Sequence, residues 1–476
     1  MKQLIVLIAV AAILLHSPLL ASDLPVTDRV LPDGVRILVQ DEPDSQLVAI
    51  DVFVLTAGAP EDAAQPGLAN FVARTLLTGT SEESPDDIAG AVGSLGGNVA
   101  ATWDRNDTQI RALTLSSRFG DAAYLISDVL KNASFDNDQV EIARQSLLQQ
   151  FQDNSNDVYG QAYDQMKLKL YDGLGITPTD LGSESVIRTI TASQVRAFYE
   201  RYYTPDNIVI SIVGNVDPQQ AVHIFGYNLE DFTRQAPRRR ISILPSTVTP
   251  VAQPTTVKTY RGDLTSGYIL VGYLVPGAGT PEYPQMLLLN ALLGGMKTSL
   301  LFTNLREKQG LCYETSSVYG EDIGITDLTG YLLTPGDKTS GDSHPSPATI
   351  TTSATNPAEP AVTGPTFSGV RQALIDQFAL IRQSPPTDGM LTRAKKFVIG
   401  SYLIQHERLL DRAYWLGFSE TALKPLGGYL FDTKFADRIN AVTPAQVQTV
   451  AQKYFSDGYV VSMVLPGDPN AGDVSK

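Results

Sequence analysis

One short segment of this chain has polar side chains at a spacing that would bring them together on a helix, although an ordinary amphipathic helix with Asn70 and Arg74 on its polar face explains this segment equally well by itself. Residues 67–80 read GLANFVARTLLTGT, and positions 70, 73 and 74 share one face if the segment is a helix. Two histidines and a carboxylate at this spacing can bind zinc and activate a water. The residues are instead Asn70, Ala73 and Arg74. An amide is a poor zinc ligand, a methyl group takes no proton and a guanidinium stays positive, so we expect no metal here.

A second group of chemically capable residues lies in the C-terminal half, within residues 301–313, which read LFTNLREKQGLCY. The pattern predicts a helix over Ser299–Gln309, a cap at Gly310 and a strand over Leu311–Tyr319. Arg306 then lies near the end of the helix and Tyr313 near the start of the strand. Spacing alone favours the simpler interpretation, in which Arg306 pairs locally and Tyr313 packs in a sheet.

Both segments resemble motifs of the pitrilysin/insulinase family of zinc metallopeptidases. In that family a Gly-Leu-Ala turn leads into His-x-x-Glu-His, followed by an apolar pair and Gly-Thr, and residues 67–80 keep this frame. The resemblance implies that the two histidine ligands fall at Asn70 and Arg74 and the glutamate base at Ala73. It also implies that the third ligand, a glutamate on a later helix, falls at Gln150. All four positions are replaced, so we predict that this chain holds no zinc and no other cofactor of its own.

The family also has a Leu-Phe-x-x-Leu-Arg-Glu-x-x-Gly-Leu-x-Tyr segment, which residues 301–313 match at nearly every fixed position. In family members the Arg holds substrate carbonyls and the Tyr stabilises the developing oxyanion, facing the zinc site across a central chamber. Some bacterial relatives place the zinc motif on one subunit and the Arg/Tyr pair on another. The resemblance therefore implies that Arg306 and Tyr313 are catalytic in complex with a partner. That partner would be a homologous, zinc-bearing subunit, with the peptide substrate in a shared chamber.

An internal repeat divides the 476 residues into two halves. Thr191 and Thr443 occupy the same capping position at the start of a helix, and an apolar strand follows each helix. We predict an α+β protein of two tandem homologous α/β domains, over residues 24–235 and 258–470, joined by a linker over 236–257. Each domain is expected to be a sheet with helices on one face. The two are expected to form a clam around a chamber.

Two segments stand apart from this repeat. Residues 1–21 combine a basic start, an apolar run from Leu4 to Leu15 and a small residue, Ala21. This pattern predicts a cleavable signal peptide and a periplasmic or secreted protein. The run is shorter than the roughly 20 residues that span a bilayer, and no later stretch is longer, so we expect no stable membrane span. Residues 334–365 are rich in Thr, Ser, Pro, Gly and Ala, which predicts a low-complexity insertion in the second domain.

Charge and cysteine content narrow the classes of partner. The formal net charge is −15, and removing Lys2 with the signal peptide gives −15 − 1 = −16. Such an acidic chain repels phosphate backbones, which argues against nucleic acid as a partner. Cys312 is the only cysteine, so no intrachain disulfide can form. We expect this side chain to be buried, because it lies in an apolar segment.

Two functions from different classes remain. The first is a non-catalytic subunit that completes the peptidase chamber of a zinc-bearing partner. The second is a structural or peptide-binding protein of the same fold with no proteolytic role. Retention of Arg306 and Tyr313 favours the first, whereas a lone homodimer in solution would favour the second. An independent hydrolase is a weaker hypothesis, because no nucleophile–base pair supports it.

Overall fold

The computed structural model describes residues 25–56, 59–233, 248–249, 251–336, 366–456 and 458–467. The predicted signal peptide lies outside these ranges, as do most of the predicted linker and residues 337–365 of the predicted insertion. None of the described helices combines the length and the apolar character needed to cross a bilayer.

The described part of the chain contains eleven strands, which form two sheets. Their bounds are β1 Val26–Val30, β2 Arg36–Asp41, β3 Leu47–Leu55, β4 Asn98–Trp103, β5 Asp107–Leu115, β6 Ile208–Gly214, β7 Thr255–Arg261, β8 Ser266–Pro276, β9 Glu314–Tyr319, β10 Ile325–Pro335 and β11 Val460–Pro466.

Fifteen α-helices lie in the same described ranges. Their bounds are α1 Pro60–Ala64, α2 Leu68–Thr75, α3 Pro85–Ser94, α4 Phe119–Asn132, α5 Asn137–Asn154, α6 Val158–Leu170, α7 Glu184–Ile187, α8 Ala192–Tyr202, α9 Pro218–Asn228, α10 Tyr283–Asn290, α11 Phe367–Gln383, α12 Asp388–Ile404, α13 Leu409–Thr421, α14 Phe435–Ala441 and α15 Pro444–Tyr454. Two π-helical segments cover Ala291–Gly295 and Phe302–Lys308. Short 3₁₀ turns cover Ser116–Arg118, Pro205–Asn207, Lys424–Leu426 and Gly428–Lys434.

The two sheets have the same topology. Their strand orders are β1-β2-β6-β3-β5-β4 and β7-β11-β8-β10-β9. One pair in each sheet is parallel, β2 with β6 and β7 with β11, and the other neighbouring pairs are antiparallel. Leaving β1 aside, the strands correspond one to one. This correspondence confirms the internal repeat and the predicted α+β fold of two tandem domains.

Equivalent helices of the repeat begin with the same capping box. The Thr191 hydroxyl accepts a hydrogen bond from the Gln194 backbone N–H at 3.4 Å, and Thr443 accepts one from Gln446 at 3.3 Å. Each glutamine side chain accepts in return from the threonine N–H, at 2.8 and 2.9 Å. The box satisfies donors that the first helical turn leaves unpaired. Both predicted caps are confirmed.

Each sheet packs against helices of its own half on one face, as predicted. On the opposite face, each sheet packs against a helix that belongs to the other half. On β8, Ile269 and Val271 belong to the core formed with helices of their own half. The alternate residues Leu270 and Leu274 pack instead with Met166 of α6, which belongs to the first half. Because successive strand residues point to opposite faces, these two contacts lie on the two sides of the sheet.

Helix α13 makes the reciprocal contact with the first sheet. Ala413 packs with Ala49 of β3 and Val213 of β6. Gly417 lies directly against Phe53, since an added Cβ would come within 2.1 Å of its ring. The halves are therefore joined along α6 and α13 by close apolar packing. A chamber between the two halves stays a prediction.

Candidate functional site

The turn before α2 fixes the helix that carries positions 70–74. Gly67, its N-cap residue, has a φ of 103°, which glycine adopts without strain. A Cβ there would lie 2.8 Å from Ile187 Cδ1 and 2.9 Å from the Leu181 carbonyl oxygen. The buried Asp62 carboxylate accepts a hydrogen bond from the Ala69 N–H at 2.8 Å. It thereby satisfies one of the donors that a helix N-terminus leaves without an intrahelical partner.

Hydrogen bonds join three of the four degenerate zinc positions, which are Asn70, Ala73, Arg74 and Gln150. The Arg74 Nε donates to Asn70 Oδ1 at 2.9 Å, and its Nη2 donates to Gln150 Oε1 at 2.7 Å. Asn70 Nδ2 donates in turn to the Asp180 carbonyl oxygen at 2.8 Å. Ala73 is buried in the same helix. The structure thus gathers Asn70, Arg74 and Gln150 around one guanidinium.

These residues do not fit a zinc ion. Zinc sites in proteins use imidazole nitrogen, thiolate sulfur and carboxylate oxygen. Here the groups are two amides and a guanidinium, and the guanidinium, itself a cation, bonds to both amide oxygens. In the described ranges, no group of three or more His, Cys, Asp or Glu residues could hold a metal ion. At the positions where the resemblance expects zinc ligands, the structure has a guanidinium bonded to two amides.

Arg74 is a cation among neutral groups. It is the one residue of α2 that is not buried, and partial burial lowers the pKa of its guanidinium. An arginine keeps its charge even so, because its ordinary pKa is above 12. The charge of Lys167, by contrast, is paired with carboxylates, because its Nζ lies 4.0 Å from Asp164 Oδ1 and 3.9 Å from Asp180 Oδ1. Arg74 forms no ion pair with a carboxylate of the described residues.

The second candidate group lies where the π-helical segment Phe302–Lys308 gives way to β9. Gly310 follows the helix with a φ of 62°, which confirms the predicted cap. The strand begins at Glu314 rather than at the predicted Leu311. The cause is local: the Leu311 N–H bonds back to the Leu305 carbonyl at 2.9 Å and so closes the helix end instead of pairing in the sheet.

The side chains of Arg306 and Tyr313 are both exposed. Tyr313 is 59% exposed although its N–H donates to the Leu333 carbonyl at 2.8 Å. The Arg306 guanidinium lies 5.2 Å from the centre of the Phe302 ring. Within the described residues, neither the guanidinium nor the Tyr313 hydroxyl has a hydrogen-bond partner. Cys312 is 7% exposed, as predicted, and burial raises its pKa to about 11 while the charge of Arg306 opposes the shift.

The two candidate groups lie on different sheets. Helix α2 packs on β4 and β5 of the first sheet, and β9 is an edge strand of the second. Across the described ranges, no hydrogen bond or ion pair links Arg306 or Tyr313 to the degenerate zinc positions. The Arg306/Tyr313 pair and the degenerate zinc positions are therefore two separate sites in this chain.

Sequence reasoning missed a polar contact between the two halves. Arg105, in the turn between β4 and β5, donates through Nε to Asp322 Oδ1 at 2.9 Å. The neighbouring Asn106 donates to the Glu321 carbonyl at 3.1 Å and accepts from the Ile323 N–H at 2.8 Å. These turn residues belong to no motif and no repeat. The sequence therefore does not indicate that this turn contacts another turn more than 200 positions away.

Comparisons with known proteins identify the family. The family profile described as "Insulinase (Peptidase family M16)" matches residues 36–169, and "Peptidase M16 inactive domain" matches residues 189–397. An uncharacterized zinc protease of Bacillus subtilis is 22% identical over 442 residues, which cover 91% of this chain and 97% of that protein. Another from Mycobacterium leprae is 28% identical over 291 residues, which cover 60% of this chain but only 64% of that protein.

Solved structures share the fold. A peptidase M16 inactive domain from Pseudomonas fluorescens superposes with a TM-score of 0.78 at 19% identity, covering 94% of this chain and 98% of that one. A protease from Helicobacter pylori gives 0.74 at 15% identity, covering 93% and 99%. The chain belongs to the pitrilysin/insulinase (M16) peptidase family, as a member that lacks the zinc motif and retains the Arg/Tyr motif.

Proposed function

We propose that this protein is exported and serves as the non-zinc subunit of a heterodimeric zinc metallopeptidase. The observation that carries the proposal is a contrast between two sites of one chain. At the positions where the resemblance expects zinc ligands, Arg74 bonds to two amide oxygens, whereas Arg306 and Tyr313 are exposed and have no side-chain hydrogen-bond partner among the described residues. This contrast supports a division of tasks in which this chain binds the substrate and a partner supplies the zinc.

Each retained side chain has a defined task in this proposal. The Arg306 guanidinium holds a carbonyl of the peptide by charge-assisted hydrogen bonds. The Tyr313 hydroxyl donates to the oxyanion that develops at the scissile carbonyl. Both donors are available because no described residue uses them. The Gly310 turn and the start of β9 hold the two groups on adjacent elements.

The partner in this proposal is a homologous subunit with an intact zinc motif, and the peptide lies in a chamber that the two subunits share. The predicted signal peptide supports export to the periplasm or the medium, where both subunits would meet. The curated relatives described as zinc proteases support a peptidase context, although the matched region spans less than two thirds of the Mycobacterium leprae protein.

The decisive experiment compares Tyr313→Phe with the unsubstituted chain in the reconstituted complex. The change keeps the ring and removes only the hydroxyl. Losing one oxyanion donor lowers turnover by about 10²–10³-fold. We expect Tyr313→Phe to assemble normally, to leave one zinc on the partner and to slow turnover by this factor. Tyr227→Phe is the matched control, since Tyr227 is 73% exposed on α9 and lies outside the proposed site.

The same experiment separates the alternative, a structural or peptide-binding protein with no proteolytic role. Unchanged turnover in the Tyr313→Phe complex would refute the catalytic role and leave a scaffold. A mature chain that forms only homodimers in solution, with no zinc-bearing partner, would lead to the same conclusion.

A further inference from the structure

The degenerate zinc site has unused binding capacity of its own. An arginine guanidinium carries five N–H donors. Two of the Arg74 donors form hydrogen bonds, with Asn70 and Gln150. The other three have no partner among the described residues. The Arg74 Nη1 atom is not fully buried, so this edge of the guanidinium is open to solvent.

The two amides hold the guanidinium in a fixed orientation. Asn70 Oδ1 bonds Nε at 2.9 Å and Gln150 Oε1 bonds Nη2 at 2.7 Å, so the plane of the fork is set by contacts from two different helices. Asn70 is itself anchored, being 6% exposed and bonded to the Asp180 carbonyl. A pre-oriented fork loses little side-chain freedom when it binds a planar anion, which favours bidentate pairing.

No carboxylate of the described residues forms an ion pair with Arg74. The nearby cation Lys167 has Asp164 and Asp180 as ion-pair partners, but Arg74 has neutral amide oxygens only. A half-buried cation bonded to neutral groups attracts an external anion more strongly than an exposed one, because less water screens the interaction. A carboxylate fits best, since its two oxygens match the geometry of the fork.

We propose that the Arg74 site binds the carboxylate of a peptide, either the C-terminal carboxylate or that of an aspartate or glutamate side chain. The position that the family uses to hold a metal cation would thus hold a cation that recognises an anion. All the residues belong to this chain, so the proposal does not depend on a zinc-bearing partner, and each can fail without the other.

The test uses the isolated mature chain and three N-acetylated octapeptides of glycine, serine and one tyrosine. One has a free C-terminal carboxylate, one is amidated, and one is amidated with a single internal glutamate. Calorimetric titration should give tighter binding for at least one carboxylate-bearing peptide than for the neutral amide, by about ten- to a hundredfold, as expected for a charge-assisted pair. Which of the two binds more tightly identifies the source of the carboxylate.

Variants assign the effect to Arg74. Arg74→Gln should reduce the binding of the carboxylate peptides to that of the neutral amide, whereas Arg74→Lys should retain part of the preference. Arg118→Gln is the matched control, because the Arg118 side chain is 54% exposed and, among the described residues, forms an ion pair only with the neighbouring Asp121. If the Arg74→Gln variant has a lower melting temperature than the unsubstituted chain, its binding data are set aside. The proposal is then decided by whether the unsubstituted chain binds the carboxylate peptides more tightly than the neutral amide. Equal binding of all three peptides, no binding of any, or an unchanged preference in a folded Arg74→Gln would overturn the proposal.

Discussion

Arg105 joins the two halves of the protein, and its removal should be among the most destabilising single changes outside the apolar cores. Its guanidinium forms an ion pair with Asp322 across the contact between the halves. It also donates to the Tyr171 hydroxyl at 3.1 Å and lies 4.5 Å from the centre of that ring. The Tyr171 hydroxyl donates onward to Asp327 at 3.1 Å. One cation therefore faces two carboxylates in a buried network.

The expected magnitude follows from burial. The side chain of Arg105 is 8% exposed and that of Asp322 is 15% exposed, so solvent screens the pair only weakly. Arg105→Ala leaves Asp322 buried without its counter-charge. Breaking a buried pair in this way typically costs about 3–5 kcal/mol. We therefore expect the free energy of unfolding of the protein to fall by that amount.

Urea unfolding followed by tryptophan fluorescence and far-ultraviolet circular dichroism measures the change. Arg188→Ala is the control, since its pair with Glu184 is about half exposed on both sides and should contribute no more than about 0.5 kcal/mol. The double variant of Arg105→Ala with Asp322→Ala should be less destabilised than the sum of the two single variants. A loss below about 1 kcal/mol for Arg105→Ala, or one equal to that of Arg188→Ala, would refute the importance of this contact.

Two further outcomes test the site and the charge distribution. The first prediction restores the family's residues at the degenerate zinc positions, with the changes Asn70→His, Ala73→Glu, Arg74→His and Gln150→Glu. The restored chain should retain one zinc after washing with a weak chelator. Metal analysis of this chain and of the unsubstituted chain measures the difference. Burial raises the pKa of Asp107 well above its usual range, so its contribution to stability is present below about pH 4 and is lost as the pH rises. Asp107→Asn should therefore raise the free energy of unfolding at pH 8 and change it little at pH 4. The reverse pH dependence in urea unfolding would contradict this assignment.

The parts of the fold that the sequence predicted are those encoded locally. Thr191 and Thr443 cap their helices because a hydroxyl and a glutamine at a fixed spacing satisfy the same free donors in both halves. Gly310 ends its helix because glycine adopts a positive φ without strain. These signals need only a few neighbouring residues, so they can be recognised without knowing the rest of the structure.

The exchange of α6 and α13 between the halves could not be predicted in the same way. Apolar periodicity tells which face of a helix is buried but not which sheet buries it. Gly417 looks like any helical glycine in the sequence, and only the position of Phe53 in the other half explains why a side chain does not fit there. The ion pair of Arg105 with Asp322 is equally invisible, because its partners are far apart in the chain.

At the candidate site, the sequence shows which side chain stands at each position but not how these side chains contact one another. Side-chain types alone exclude zinc at Asn70, Ala73, Arg74 and Gln150. That Arg74 reaches both Asn70 and Gln150 depends on how α5 packs beside α2, which no local pattern encodes. The exposure of Tyr313 is a further case, because spacing alone favoured a residue packed in the sheet.

The bonding around Arg74 also makes the replaced positions depend on one another. Asn70 and Gln150 present acceptors to the guanidinium, and Asn70 is almost fully buried. Changing Arg74 alone to histidine would leave both amide oxygens without their donor, and an unsatisfied buried polar group costs about 1–3 kcal/mol. Restoring all the ligands together instead gives them a common metal ion to bind. Asn70, Arg74 and Gln150 therefore depend on one another, because the Arg74 guanidinium supplies the donor for both amide oxygens.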